Sequence, residues 1–210
     1  MIVETPVGSV SATISGGGDR TMLLAHGAGT DQHHRMIVGI RDALAARGVR
    51  VVTFNYPYTE AGRRRPDRAP VLMECHRSVA DRVKELFGRP LVLGGRSMGG
   101  RMATMLVAEG YAAAGVVAYA YPLHPAGKPD RLRVEHLPRV GVPLLFFQGS
   151  RDALARGDLV DRHLRTLAGS TVVEMPGADH SFRGAAWKEP GVFEFLAAHT
   201  VDWWDSDVVN

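Results

Sequence analysis

The sequence predicts an α/β domain, a mostly parallel, twisted sheet flanked by helices on both faces. Three observations predict it. Short apolar runs recur along the chain and read as strands buried on both sides. Stretches with helical spacing separate them. Compact turn and stop signals lie between them, with no repeat, low-complexity tract or linker, so residues 1–210 read as a single domain.

The elements follow in order. Residues 7–14 alternate like an edge strand or hairpin, and Gly16-Gly17-Gly18-Asp19 is a turn. Residues 21–25 form a short apolar strand ending at His26-Gly27-Ala28-Gly29. Met36, Ile37, Ile40 and Leu44 give residues 36–47 a helical face, with Gly48 as the stop. Residues 49–54 are a second strand, and residues 59–70, rich in Arg and Pro, are a loop. A helix over 71–87 ends at Gly88-Arg89-Pro90. Strands are predicted at 91–94, 115–120, 143–147 and 171–175, and helices at 98–109 and 154–167. Residues 121–139 are a loop. The last helix starts near Trp187 or Pro190, and the tail 202–210 is expected to fray. The two long insertions, 59–70 and 122–139, are too short for a separate lid.

Composition narrows the function classes. The chain is 45% hydrophobic and 22% charged with a formal net charge of +3, ordinary for a globular enzyme. The densest basic run, Arg63-Arg64-Arg65 with Arg68, reads as a solvated loop, and no nucleic-acid partner is expected. The one cysteine, Cys75, sits in a helical pattern and excludes an intramolecular disulfide, which fits a reducing compartment. The start of the chain carries no signal-peptide pattern, and no apolar run is long enough to span a membrane. A cytoplasmic setting without membrane contact is the expectation.

One motif carries chemistry directly. Gly95-Arg96-Ser97-Met98-Gly99 is a G-x-S-x-G turn between a predicted strand and a predicted helix. Such a turn strains the serine backbone and lifts its hydroxyl above the sheet edge, and small residues two before and two after prevent clashes. Neither phosphate-binding glycine pattern fits here. A serine needs a base, and His180 lies on a loop after the last strand. An acid should precede it, and Asp152 follows the strand at 143–147. Asp179 is the lesser alternative, because adjacent side chains diverge. The chain order Ser, Asp, His matches this chemistry.

An oxyanion hole needs two backbone N–H groups. Met98, after the nucleophile, supplies one; Ala28 in the early glycine-rich loop supplies the other, with Gly27 next in line. His26 is expected to support that loop. Tyr56, Tyr58, Tyr121, Leu123 and His124 lie at strand ends and, with Gly27, are candidates for the substrate pocket; core packing is the equal alternative. Arg96 is expected near an anionic substrate or in an ion pair with a surface acid, the second more than the first. His33 and His34 lack a ligand set, so no metal and no cofactor is expected.

The strings HGAG, GGRSMGG, QGSRD and GADHSF together resemble the α/β-hydrolase superfamily across nearly the whole chain. LLAHGAGTD, FNYPY, RRRPDRAPVL, GGRSMGGRMA, YPLHPAGKPDRLRVEHL and PLLFFQGSRDAL look like a family of small, nearly lidless members. Its bacterial members are described as hydrolases or dienelactone-hydrolase-like proteins. Its eukaryotic relatives include a testis-expressed protein and a subunit of a chromatin acetyltransferase complex. Dienelactone hydrolases proper use a cysteine where this chain has Ser97, so their substrate is not carried over. The resemblance implies an α/β-hydrolase fold with a minimal lid and a serine esterase acting on a small acyl substrate. The alternative is an interaction or scaffold protein that kept the fold.

Overall fold

The protein is described by a computed structural model over residues 1–88 and 90–208. Arg89, part of the expected helix stop, and the last two residues of the tail lie outside the described residues.

The strands are β1 (Ile2–Val3), β2 (Val10–Ser15), β3 (Arg20–Ala25), β4 (Val49–Phe54), β5 (Val92–Arg96), β6 (Gly115–Tyr119), β7 (Leu144–Gly149) and β8 (Ser170–Met175). They form one eight-stranded sheet in the order β1-β2-β4-β3-β5-β6-β7-β8. The β1–β2 and β2–β4 pairs are antiparallel, and every pair from β4 to β8 is parallel. The chain runs outward from β3 to β4 and returns to β5 on the other side of β3. That reversal opens a crevice at the carboxyl ends of β3 and β5, where open α/β sheets place their sites.

The helices are α1 (Arg35–Ala45), α2 (Pro57–Glu60), α3 (Ala69–Phe87), α4 (Met98–Ala108), α5 (Gly157–His163) and α6 (Gly191–Trp203). Successive strand side chains face opposite sides of the sheet. Leu23, Ala25, Leu144 and Phe146 therefore pack into the layer holding α3, α4 and α5. Met22, Leu24, Leu145 and Phe147 pack into the layer of α1 and α6. Both faces are covered, which explains strands that read as continuous apolar runs. Among the described residues, no helix is long and apolar enough to cross a membrane.

Three expectations change. The helix expected at 154–167 shrinks to α5, because local acceptors take the backbone N–H groups at its start. The Leu154 N–H donates to Asp152 Oδ1 at 2.7 Å and the Arg156 N–H to His124 Nε2 at 3.2 Å. The loop expected at 59–70 is bounded by α2, which enters it as far as Glu60, and by α3, which starts at Ala69. The tail is not frayed through Val208: Trp203 and Trp204 are each 4% exposed, and Arg20 pairs with Asp205 at 2.6 Å. Two buried indoles hold that segment against the α1–α6 layer.

Candidate active site

Ser97 ends β5 and caps α4 with φ 50° and ψ −111°. A non-glycine residue rarely holds a positive φ, and only surrounding structure keeps it there. The Ser97 N–H donates to the Tyr119 carbonyl at 2.9 Å, and its carbonyl accepts from Arg101 N–H at 3.1 Å. The turn is tight enough that a Cβ on Gly95 would sit 2.2 Å from the Gly99 backbone. A Cβ on Gly99 would sit 2.4 Å from the Ala25 carbonyl oxygen. These contacts are the physical content of the two flanking glycines in the motif.

Residues far apart in sequence meet at this serine. His180 Nε2 lies 2.9 Å from Ser97 Oγ, and His180 Nδ1 lies 2.7 Å from Asp152 Oδ2. The Asp152 side chain is fully buried and that of His180 is 21% exposed. An ionised carboxylate only accepts, so it fixes the proton on Nδ1 and leaves the Nε2 lone pair for the Ser97 hydroxyl. A hydroxyl so placed can pass its proton to the imidazole as it attacks. The second Asp152 oxygen accepts from Leu154 N–H, so the carboxylate is held at both ends.

The loop carrying His180 has its own fasteners. Asp179, the lesser alternative for the acid, turns its Oδ1 to the N–H groups of Ser181 (2.7 Å) and Arg183 (2.9 Å). Partial burial pushes the Asp179 carboxyl up, but the two donors together with the nearby positive charge of Arg183 and the His180 ring hold it below its ordinary value. Arg96 is 8% exposed and spans from the elbow to this loop. Its Nη2 donates to the His180 carbonyl at 3.3 Å and to Ser181 Oγ at 3.2 Å. It forms no ion pair with a surface acid among the described residues, and burial lowers its basicity. Gly27 makes room for it, since a Cβ there would lie 2.9 Å from Arg96 Nη1.

The His26-Gly27-Ala28 loop leaves β3 beside the serine. Burial pushes the His26 pKa down to about 4, so the ring is neutral at pH 7. It accepts the Tyr56 N–H at Nε2 (3.2 Å), which leaves Nδ1–H to donate to the Gly27 carbonyl at 2.9 Å. The Thr30 hydroxyl (2.9 Å) and the Tyr58 hydroxyl (3.4 Å) donate to the same oxygen. In a planar trans peptide the carbonyl and the next N–H point in opposite directions. Three donors on the Gly27 oxygen therefore turn the Ala28 N–H the other way. Met98 opens α4, where the first N–H groups have no intrahelical partner and the helix dipole favours negative charge.

A cavity of about 310 Å³ opens at Ser97. Ala28, Met98, Leu72, Met102 and Leu154 supply apolar wall, and Pro66, Asp67, Pro122 and Arg133 come from the two long insertions. Arg101 and Ala69 complete it. Tyr56, Tyr58, Tyr121, Leu123 and His124 do not line this cavity; all five are buried in the layers beneath it. Gly27 is likewise off the lining, pressed between Arg96 and Ser97. The strand-end aromatics fill the core, and the walls come from α3, α4, the loops after β3 and β7, and the two insertions.

Elsewhere, His34 Nδ1 accepts the Met36 N–H and caps α1. Cys75 is buried and its thiol is pushed up to about 12 by burial, then by Glu60. The Arg63–Arg65 run is exposed, with Arg63 on Asp67 at 2.8 Å.

Residues 18–191 match the family model described as alpha/beta hydrolase domain. Among solved structures, a serine hydrolase homologue from Coxiella burnetii superposes with TM-score 0.79 at 20% identity, covering 95% of each chain. A lidless serine hydrolase from Xanthomonas campestris gives 0.77 at 21% identity over 97% of this chain and 93% of that one. A dienelactone hydrolase from Anabaena variabilis gives 0.77 at 19% identity over 99% and 96%. At these identities the likeness establishes the fold.

Proposed function

This chain belongs to the alpha/beta hydrolase domain family, and from that premise we propose that it is a serine hydrolase of carboxylic esters or related acyl bonds. Ser97 attacks the acyl carbon while His180 takes its proton. Asp152 orients His180 and stabilises the imidazolium that forms. The Ala28 and Met98 N–H groups receive the charge that develops on the carbonyl oxygen. His180 then returns the proton to the departing alcohol. Water, activated by the same imidazole, releases the acyl group from Ser97.

The observation that carries this reading is the unbroken hydrogen-bond chain Asp152–His180–Ser97 at the mouth of a cavity. Thioester, lactone and peptide bonds use the same machinery, and the cavity decides among them. The test is hydrolysis of a short-chain nitrophenyl ester beside Ser97→Ala. The substitution removes the activity above background; equal rates in both proteins would take Ser97 out of the mechanism and favour an interaction role.

A further inference from the structure

The cavity at Ser97 carries two cations that the reaction does not use. Arg101 lies in the first turn of α4, which Ser97 caps, and both residues line the cavity. Arg133 comes from the long insertion on the other wall. Its backbone is pinned: its N–H donates to the Leu123 carbonyl at 2.9 Å, and its carbonyl accepts from the Tyr121 hydroxyl at 2.8 Å. Tyr121 and Leu123 thus act on the cavity from beneath.

Neither guanidinium has an ion pair or a side-chain hydrogen bond among the described residues, and Arg101 Nε is buried without a partner. Burial lowers the basicity of Arg133, and after burial the neighbouring Arg101 does so most. Two cations therefore press on each other beside the serine. Asp67 is the one carboxylate among the described lining residues; Arg63 holds its Oδ1 at 2.8 Å, and its Oδ2 is buried without a hydrogen bond, to Arg101 and Arg133 included. Arg101 and Arg133 are both half-buried, and a cation partly withdrawn from water gains from an anionic partner, so two guanidiniums lining one cavity offer a seat for an anion from outside. Guanidinium forks match carboxylates bidentately. The remaining wall is apolar, and about 310 Å³ sits at the small end of ligand cavities.

We propose that Arg101 and Arg133 make this a site for small esters that carry a free carboxylate, the two guanidiniums holding the carboxylate while Ser97 attacks the ester carbonyl. This rests on the assignment of Ser97 as nucleophile. The chemistry of the step is unchanged: the Ser97 oxygen bonds to the acyl carbon, the alcohol leaves with the proton from His180, and water completes the hydrolysis.

Two measurements keep the proposal and its premise apart. Binding is read by calorimetry on Ser97→Ala with adipate and with its uncharged analogue adipamide. Adipate binds at least about tenfold more tightly, as two charge-assisted contacts allow, and the difference disappears in Arg101→Gln/Arg133→Gln. Turnover is read on two matched pairs. Mono-4-nitrophenyl adipate against 4-nitrophenyl hexanoate places the carboxylate on the acyl side. 4-Acetoxybenzoate against 4-methylphenyl acetate places it on the alcohol side. In at least one pair the kcat/KM ratio favours the anionic ester by tenfold or more, and that ratio falls at least tenfold in the double variant. Melting curves check folding, and each single variant serves if the double fails to fold. Equal binding of adipate and adipamide, or a preference that survives both substitutions, overturns the proposal. Selective adipate binding with no turnover of any ester leaves the anion site standing and overturns the hydrolase reading.

Discussion

Freeing the Gly27–Ala28 peptide removes one of the two oxyanion donors in this account. The Gly27 carbonyl is held by His26 Nδ1 (2.9 Å), Thr30 Oγ1 (2.9 Å) and Tyr58 OH (3.4 Å). Thr30→Val with Tyr58→Phe deletes both hydroxyl donors with little change of shape. Two such bonds contribute about 1–3 kcal/mol net. In a chain of this size that lowers the melting temperature by roughly 2–12 °C. Adding His26→Phe deletes the third donor and leaves the Tyr56 N–H without its acceptor, a further cost of about 1–3 kcal/mol. With nothing left to hold the carbonyl, the peptide can rotate and the Ala28 N–H is lost to the site. Loss of one such donor lowers kcat about 10²–10³-fold, with KM little changed. Ala28→Pro reaches the same end by deleting the N–H outright. The assay is kcat and KM on a short-chain nitrophenyl ester, with melting curves to show folding. A folded triple variant or a folded Ala28→Pro that keeps kcat within about threefold of the parent would refute the donor role of Ala28.

Three further expectations follow from the same geometry. Asp152→Asn keeps the contact but offers His180 an amide, which favours the wrong tautomer; kcat falls roughly 10⁴-fold while the fold is retained, and a loss under tenfold would remove Asp152 from the role. Arg96→Met deletes the donors to the His180 carbonyl and Ser181 Oγ. As a positioning residue it lowers kcat about 10–100-fold more than it raises KM, and Arg96→Lys restores part of the loss; an effect confined to KM would argue for substrate contact instead. Acid should weaken the fold between pH 6.5 and 4. Burial holds His26 at about 4 and His76 at about 3 when folded, against about 6.5 for an exposed histidine. The unfolded chain binds more protons across that window, so stability is full above pH 6.5 and falls as pH drops, by up to about 1.4 kcal/mol per unit for each histidine. Urea midpoints measured across the window test this, and a flat profile would contradict it.

The parts of the fold that depend on local patterning are readable in the sequence. β4 matches its predicted bounds, and β5, β6, β7 and β8 differ by a residue or two. Ser97, Asp152 and His180 each follow a parallel strand at its carboxyl end, so finding the strands also locates the loops that meet. Tertiary hydrogen bonds are not readable in this way. The 154–167 segment has helical spacing, yet Asp152 and His124 capture its first N–H groups. The aromatic strand ends look like pocket lining because an apolar, polar-tipped side chain suits a rim as well as a core. Only packing decides, and it buries Tyr56, Tyr58 and Tyr121. The cavity residues on the insertions, Pro66, Asp67, Pro122 and Arg133, are not legible in the sequence, because insertions carry no periodicity. Arg101 is the cavity arginine that the sequence does place near the site, in the first turn of the helix that follows the Ser97 turn. Arg96 shows the opposite failure: its charge is visible in the sequence, but its partners are a backbone carbonyl and a hydroxyl on a loop 84 and 85 residues away.

The central claim is that His180 and Asp152 activate Ser97. The most direct measurement is the site and stoichiometry of covalent labelling by an alkyl fluorophosphonate, read by intact-mass and peptide mass spectrometry. One adduct per chain is expected, carried by Ser97, absent in Ser97→Ala and strongly slowed in His180→Ala. A folded protein that takes up no label, or one that is labelled equally after Ser97→Ala, would contradict it.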